Sequence, residues 1–316
     1  MRKLLIVALV ALLAFTSFVS CSKGSAEKDT FTVGICQFVQ HTALDAATQG
    51  FKDALKGEFG DKVVFDEQNA SGEIPNCSTI INGFVSKNVD LIMANATPAL
   101  TAAASATDTI PILGTSITHY GTALEIDNWT GVVGTNVSGT SDLAPLDQQA
   151  KMILEWFPNV KSVGLIYCTA EPNSIFQIEE VERVLTSLGV NAKRFSFTDS
   201  NDIAAVVQKA CDETEVLYVP TDNTAASNAE LVINITLASG TPVFVGEAGN
   251  SAGIASLSIS YYDLGVTTGK MAAKILRGEA DIKSMPVEYT QATKMYNPEM
   301  CAALKITPLA GYEAIK

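Results

Sequence analysis

The run VGLIY, Val163 to Tyr167, is too short for a buried helix, and its β-branched, aliphatic and aromatic side chains suit a buried strand. The breaker-rich turn Cys168 to Pro172 follows. Asn173 and Ser174 then stand in position to cap a helix whose apolar face repeats at Ile178, Val181, Leu185 and Leu188. This strand, polar loop and helix start constrains the chain because it recurs. Phe31 to Cys36, Lys62 to Asp66, Val89 to Ala94 and Ile110 to Leu113 read as strands. Leu44, Ala47, Phe51, Ala54 and Leu55 mark a helix face after the first, and Asn76 to Ser86 a helix after the second. After the third, Thr97 is the expected N-cap and Pro98 the first helical residue. Val89 to Ala94 is almost wholly apolar and is therefore central in its sheet.

The pattern restarts past Ser138. Thr130 to Val137 is an expected strand, and Leu143 to Phe157 an expected helix. Further strands are expected at Ala192 to Phe195, Val216 to Val219 and Pro242 to Val245, with helices at Asp202 to Cys211 and Asn223 to Ser239. Strands alternating with helices imply an α/β fold with doubly wound parallel sheets. Val33-Gly34-Ile35 and Val163-Gly164-Leu165 open the two halves alike, which favours two similar lobes. After Gly253 the extended stretches Ile254 to Ser260 and Pro286 to Tyr289 flank a helix running to Arg277, and Asn297 to Leu304 is a last helix. This fits three crossovers between lobes, near Ser138, Ser258 and Val287. The expected division is 30–138 plus 260–286 for the N-terminal lobe and 139–259 plus 287–316 for the C-terminal lobe.

Residues 1–20 read as a secretory signal peptide, with basic Arg2 and Lys3 ahead of the apolar stretch Leu4 to Phe15. Phe18-Val19-Ser20-Cys21 resembles a bacterial lipobox, with Phe18 where Leu is usual. On that resemblance the mature protein starts at a lipidated Cys21, and residues 21–29 are its polar tether. The roughly 300 residues that remain are long for one core and comfortable for two lobes. The net charge of −13 argues against nucleic acid as a partner. Cys36, Cys77, Cys168, Cys211 and Cys301 show no CxxC or Cys/His spacing for zinc, so no metal site is expected. They read as small buried hydrophobes, with their disulfide state left open.

No GxSxG, HExxH, GxxxxGKS/T or GxGxxG occurs, and the histidines are His41 and His119 alone. Neither catalysis nor a cofactor is expected. Ligands of open α/β sheets bind beyond the carboxyl ends of the strands. The loops there are Gln37-Phe38, Asn95 to Pro98, Tyr167 to Ser174, Thr221 to Thr224 and Gly246-Glu247, and none holds a Lys or Arg. Helix starts at Thr97 and Ser174 offer free N–H groups to an anion, and without a cationic side chain a carboxylate fits better than a phosphate-rich ligand. Asp222 or Glu247 supplies the charge for an ammonium. Phe38, Tyr167, Phe176 and Tyr120 are candidate walls for an apolar or aromatic side chain. Carboxylate, ammonium and apolar wall together describe an amino acid, with a nucleobase or sugar as the alternative.

QFVQHTALDAATQGF (Gln37 to Phe51), NATPAL (Asn95 to Leu100), YCTAEPNS (Tyr167 to Ser174) and VPTDNT (Val219 to Thr224) resemble the lipid-anchored substrate-binding proteins of ABC transporters for tryptophan and other aromatic amino acids. The small-residue spacing from Gly265 to Ala273 also matches, and the resemblance spans the mature chain. It implies a type I periplasmic-binding-protein fold, a Venus flytrap that closes on its ligand and delivers it to a permease with its ATPase. It also implies an extracytoplasmic, membrane-anchored monomer, with ligand contacts from Gln37, Phe38, Thr97, Asn173, Ser174, Asp222 and Asn223. Ser116 to Tyr120 departs from the family's usual Thr-Asp-Pro turn. A ligand-sensing partner protein is the rival to transport.

Overall fold

The computed structural model describes residues 30–247 and 251–315. The expected signal peptide and the whole tether, 21–29 with Cys21, lie outside the described residues.

One sheet contains β1 (Phe31–Gln37), β2 (Val63–Asn69), β3 (Leu91–Asn95), β4 (Ile112–Ile117), β5 (Val137–Ser141) and the late strand β11 (Glu288–Tyr289), in the order β11-β5-β4-β3-β1-β2. The other contains β6 (Ser162–Cys168), β7 (Asn191–Phe197), β8 (Val216–Val219), β9 (Val243–Val245), β10 (Ala255–Ser258), β12 (Thr293–Tyr296) and β13 (Glu313–Ala314), in the order β13-β12-β10-β9-β8-β6-β7. All registered pairs are parallel except β10 with β12. Each sheet starts on an inner strand, steps one place outward, then winds the other way. The orders β2-β1-β3-β4-β5 and β7-β6-β8-β9-β10 are equivalent, so the two Val-Gly stretches open corresponding strands, β1 and β6. β3 is buried throughout, as its apolar sequence requires of a central strand.

The helices cover both faces: α1 (Thr42–Phe59), α2 (Ile74–Lys87), α3 (Thr97–Ala106), a short α4 (Tyr120–Ala123), α5 (Leu146–Trp156), α6 (Pro172–Ser187), α7 (Ile203–Glu213), α8 (Asn223–Ser227), α9 (Ala229–Ser239), α10 (Tyr261–Leu276) and α11 (Pro298–Ala303). The alternating face of β1 shows why. Val33 and Ile35 pack with Phe51 and Met271 beneath α1 and α10, while Cys36 packs with Phe84 beneath α2. The chain passes between sheets after β5, after β10 and after β11.

Three local expectations differ. The stretch Thr130 to Asn136 is a loop bent at Gly131 and Gly134, whose φ angles of 92° and 83° break an extended run; the strand starts at Val137. The single helix expected from Asn223 to Ser239 is interrupted at Asn228, whose side chain donates to the Thr224 carbonyl at 2.8 Å. The helix caps fall earlier than expected. Thr97 is the first residue of α3, with Pro98 second and Ala96 as N-cap, and α6 starts at Pro172 with Glu171 as N-cap.

α10 leans on α1 almost backbone to backbone. A Cβ on Gly265 would stand 2.0 Å from the Ala47 carbonyl oxygen, and one on Gly50 would stand 2.1 Å from that of Tyr262. Gly265→Ala must push the helices apart, so we expect a loss of about 2 kcal/mol or more despite alanine's better helix propensity. Urea unfolding of the variant measures it.

Candidate functional site

The loops at the carboxyl ends of the strands of both sheets meet in one cleft. His41, after β1, reaches Asn223 at the start of α8, with Nε2 3.3 Å from Asn223 Oδ1. The His119 ring, beyond β4, stacks flat on Phe176 of α6 at 4.6 Å. These contacts join residues of opposite sheets, so the cleft is closed.

Four carboxyl groups are buried here: Asp142 after β5, Glu171 after β6, Asp222 after β8 and Glu247 after β9. No lysine or arginine is buried among the described residues. Burying a charge without a partner is expensive, so where each oxygen finds its donors decides its role.

Two of the four are fully engaged. Glu171 Oε1 accepts from the Thr224 amide and hydroxyl at 2.9 and 2.7 Å, and Oε2 from the Asn223 amide and side chain at 3.1 and 2.6 Å. Asp222 Oδ1 caps α8 through the Ala225 amide at 2.8 Å, and Oδ2 accepts the Cys168 amide at the end of β6 at 2.7 Å. Burial and the Glu171 charge push Asp222 up from the usual carboxylate range, and its two amide donors and the Ser174 hydroxyl oppose them.

The other two are unfinished. Asp142 Oδ2 accepts from the Tyr261 hydroxyl at 2.9 Å, while Oδ1 has no partner among the described residues. Glu247 Oε2 lies 3.4 Å from the same hydroxyl, and Oε1 has no hydrogen-bond partner among the described residues, the His41 Nδ1 atom standing 3.8 Å away. Burial raises Asp142 to about 6, against the pull of the Tyr261 hydroxyl. Burial, with Asp142, Asp222 and Glu171 nearby, raises Glu247 well above its ordinary range. Tyr261 has one proton, and Asp142 takes it at the shorter distance. A hydrogen bond to Glu247 then requires the proton on Glu247, which agrees with that direction. Desolvation lowers His41, so the imidazole beside Glu247 is held toward its neutral form.

Opposite lie further unspent polar atoms. Ser116, near the end of β4, has φ 57° and a buried Oγ without a partner among the described residues. Ala96, at the start of α3, has φ 85°. Non-glycine residues in this region are strained and concentrate at ligand sites. The β4–β5 pairing slips between Gly114 and Ile117, which re-aims Ser116.

The expected contact residues divide. Gln37 is spent inside the first sheet's layer: Nε2 donates to Asp45 at 2.6 Å and Oε1 accepts from Thr48 at 2.6 Å. Phe38 is buried in the core and edges a cavity of about 360 Å³ at the cleft mouth. Thr97 and Pro98 are buried at the start of α3. Tyr167 points into the core under α5 and α6, because alternate residues of β6 face that layer; it does not wall the cleft. Tyr120 also belongs to the core, its hydroxyl donating toward the carbonyls of Gly114 and Thr140 at 3.0 and 3.2 Å. Asn173 gives its amide hydrogens to Thr221 and Glu171 and keeps Oδ1 unpartnered among the described residues. Ser174 is fully buried and is not a cap. Asn223 is held by Glu171 and His41. Glu247 is buried beside Tyr261 and His41, with Oε1 lacking a hydrogen-bond partner among the described residues.

Sequence reading passed over Asp142, Glu171, His41, Ser116 and Tyr261. A signal exists for the acids, since all four follow a strand end.

Two doubly wound sheets, joined by three crossings and meeting at their strand-end loops, define a type I periplasmic binding protein, a two-lobed clamp for a small ligand. The chain belongs to the ABC transporter substrate binding protein family, whose model matches residues 32–308. It is 30% identical over 299 residues to a tyrosine-binding protein of Clostridioides difficile (strain R20291), covering 92% of this chain and 85% of that one. A Streptococcus pneumonia ABC domain in complex with L-Trp superposes with a TM-score of 0.85 at 31% identity, covering 90% of this chain and 100% of that one. A ligand-free, open substrate binding protein with adhesive properties from Clostridium difficile gives a TM-score of 0.68 at 34% identity, covering 91% and 99%. The better match to the liganded chain agrees with the contacts across the cleft. Proteins of this family bind solutes outside the cytoplasm for ABC transporters. No described helix is long and apolar enough to cross a membrane.

Proposed function

We propose that this protein is the solute-binding component of an ABC importer and that its ligand is an amino acid, with an aromatic side chain favoured. The observation that carries the reading is the pair Glu247 Oε1 and Asp142 Oδ1, two buried carboxylate oxygens without partners among the described residues and with no buried lysine or arginine near. A ligand ammonium completes both. Ser116, Thr97 and the start of α3 suit the ligand carboxylate, and Asn173 Oδ1 takes a further donor. The tyrosine-binding relative and the L-Trp complex support the aromatic preference.

The protein acts by closing, not by turnover. Ligand contacts to both lobes favour the closed form by their difference between states. Cys21 carries the lipid anchor, and the protein works as a monomer presenting its ligand to the permease.

Thermal shift against the twenty amino acids, nucleosides and simple sugars, after refolding to strip carried ligand, tests the reading. Tyrosine, tryptophan or phenylalanine at a hundredfold excess over Kd is expected to add about 2.7 kcal/mol, and so to raise Tm by roughly 5 °C. A shift with a nucleoside or sugar and none with an amino acid overturns it.

Protons and the ligand ammonium compete for the same carboxylates. Asp142 sits at about 6 in the closed protein, above its unfolded value of 3.8. The closed protein therefore binds more protons than the unfolded chain, and ligand-free stability rises as pH falls from about 6 toward 4. Affinity moves the other way, falling about tenfold between pH 7.5 and 5 for the one proton on Asp142. Calorimetric titration and ligand-free melts at both pH values check the two signs.

A further inference from the structure

Cys36 and Cys77 face each other beneath α2. Gly34 and Cys36 lie on the same face of β1, and a Cβ on Gly34 would stand 2.6 Å from the Phe84 ring of α2. That face therefore looks directly at the helix. α2 runs back against β1, and Cys77, Ile81 and Phe84 are its buried residues. Stepping from Gly34 to Cys36 along the strand thus corresponds to stepping from Phe84 toward Cys77 along the helix. Both cysteines are free thiols, 0% exposed and packed in one core cluster, where each thiol perturbs the other's ionisation. The remaining described cysteines are placed elsewhere. Cys168 donates to the Thr198 carbonyl at 3.3 Å and Cys301 to that of Ile254 at 3.6 Å, while Cys211 is half-buried on α7.

We propose that Cys36 and Cys77 form a disulfide in the protein outside the cytoplasm, tying the end of β1 to the first turns of α2. Each thiol gives up its proton, an S–S bond forms, and two electrons pass to the disulfide of a thiol–disulfide exchange partner, which is reduced to its dithiol. The bond closes the chain around β2 and the turn Ala70 to Glu73. That turn already hangs on β1's end, through the Ala70 amide to Gln37 at 2.9 Å and the Gly72 amide to Phe38 at 2.9 Å. Ser71 to Pro75 line the cavity at the cleft mouth with Phe38. The cross-link therefore stiffens one rim of the cleft.

Full-length chain refolded in a glutathione redox buffer is unfolded in guanidinium chloride at about pH 8 with excess iodoacetamide present, so that free thiolates are alkylated, and digested. The expected result is a peptide joining Cys36 to Cys77, both free of alkyl groups, with Cys168, Cys211 and Cys301 alkylated. Alkylation of Cys36 and Cys77 in that sample, or linkage of either to another cysteine, overturns the proposal. In a second measurement, dithiothreitol during the melt is expected to lower the wild-type Tm by roughly 5–10 °C. The same treatment should leave the Cys36→Ser, Cys77→Ser variant unmoved. An equal fall in both proteins, or none in the wild type, overturns it.

Discussion

Glu247→Gln is expected to weaken amino acid binding by about 2–5 kcal/mol, between thirtyfold and several thousandfold. Glutamine keeps the shape and the contact with Tyr261 while removing the charge an ammonium requires. The same substitution is expected to raise the stability of the ligand-free protein, because Glu247 is buried, pushed toward its protonated form and incompletely bonded. The opposite signs matter: a carboxylate that merely held the fold together would lose both affinity and stability. Titration calorimetry and ligand-free melting of the one variant read both. Normal affinity in Glu247→Gln removes it from the site.

Asp222→Ala is expected to do the reverse. It deletes the cap of α8 and leaves the Cys168 amide buried without its acceptor. Loss of the cap costs about 1 kcal/mol and an unsatisfied buried donor about 1–3 more, so stability should fall by about 2–4 kcal/mol and Tm by roughly 5–10 °C. The protein that remains folded should bind amino acids within about threefold of wild type, since both Asp222 oxygens already hold amides of the fold. Folded Asp222→Ala protein without amino acid affinity, beside Glu247→Gln protein that keeps it, exchanges the two roles.

The contrast shows where sequence reading reached and where it stopped. Asp222 and Glu247 each follow a short apolar strand, and each is a candidate on that ground. What separates them is the ownership of their lone pairs. The donors to Asp222 come from the helix it starts and from Cys168 on a neighbouring strand, 54 residues earlier. Nothing local reveals the second. Tyr167 shows the same limit in a strand. The apolar run was legible, but which face of β6 looks at α6 depends on the sheet's register, so its ring went to the core. At Thr97 and Ser174 the residue types suited a cap, yet prolines at Pro98 and Pro172 fit inside the first turn, so one helix begins on Thr97 itself and the other at Pro172, ahead of Ser174.

Hydrophobic pattern and breaker residues lay out the alternation of strand and helix, the doubly wound sheets, their repetition in two halves and the loops at the strand ends. These follow from hydrophobic period, breaker residues and the handedness of strand–helix–strand units, all of which act over neighbouring residues. Which buried acids are spent and which are left open is set by long-range packing. It brought Asp142, Glu247 and Tyr261 together from three separate strand ends, and set His41 against Asn223 and His119 against Phe176 across the cleft. The physical reason is that a buried carboxylate's role is set by the donors around it, and those donors arrive from distant parts of the chain when the sheets close together.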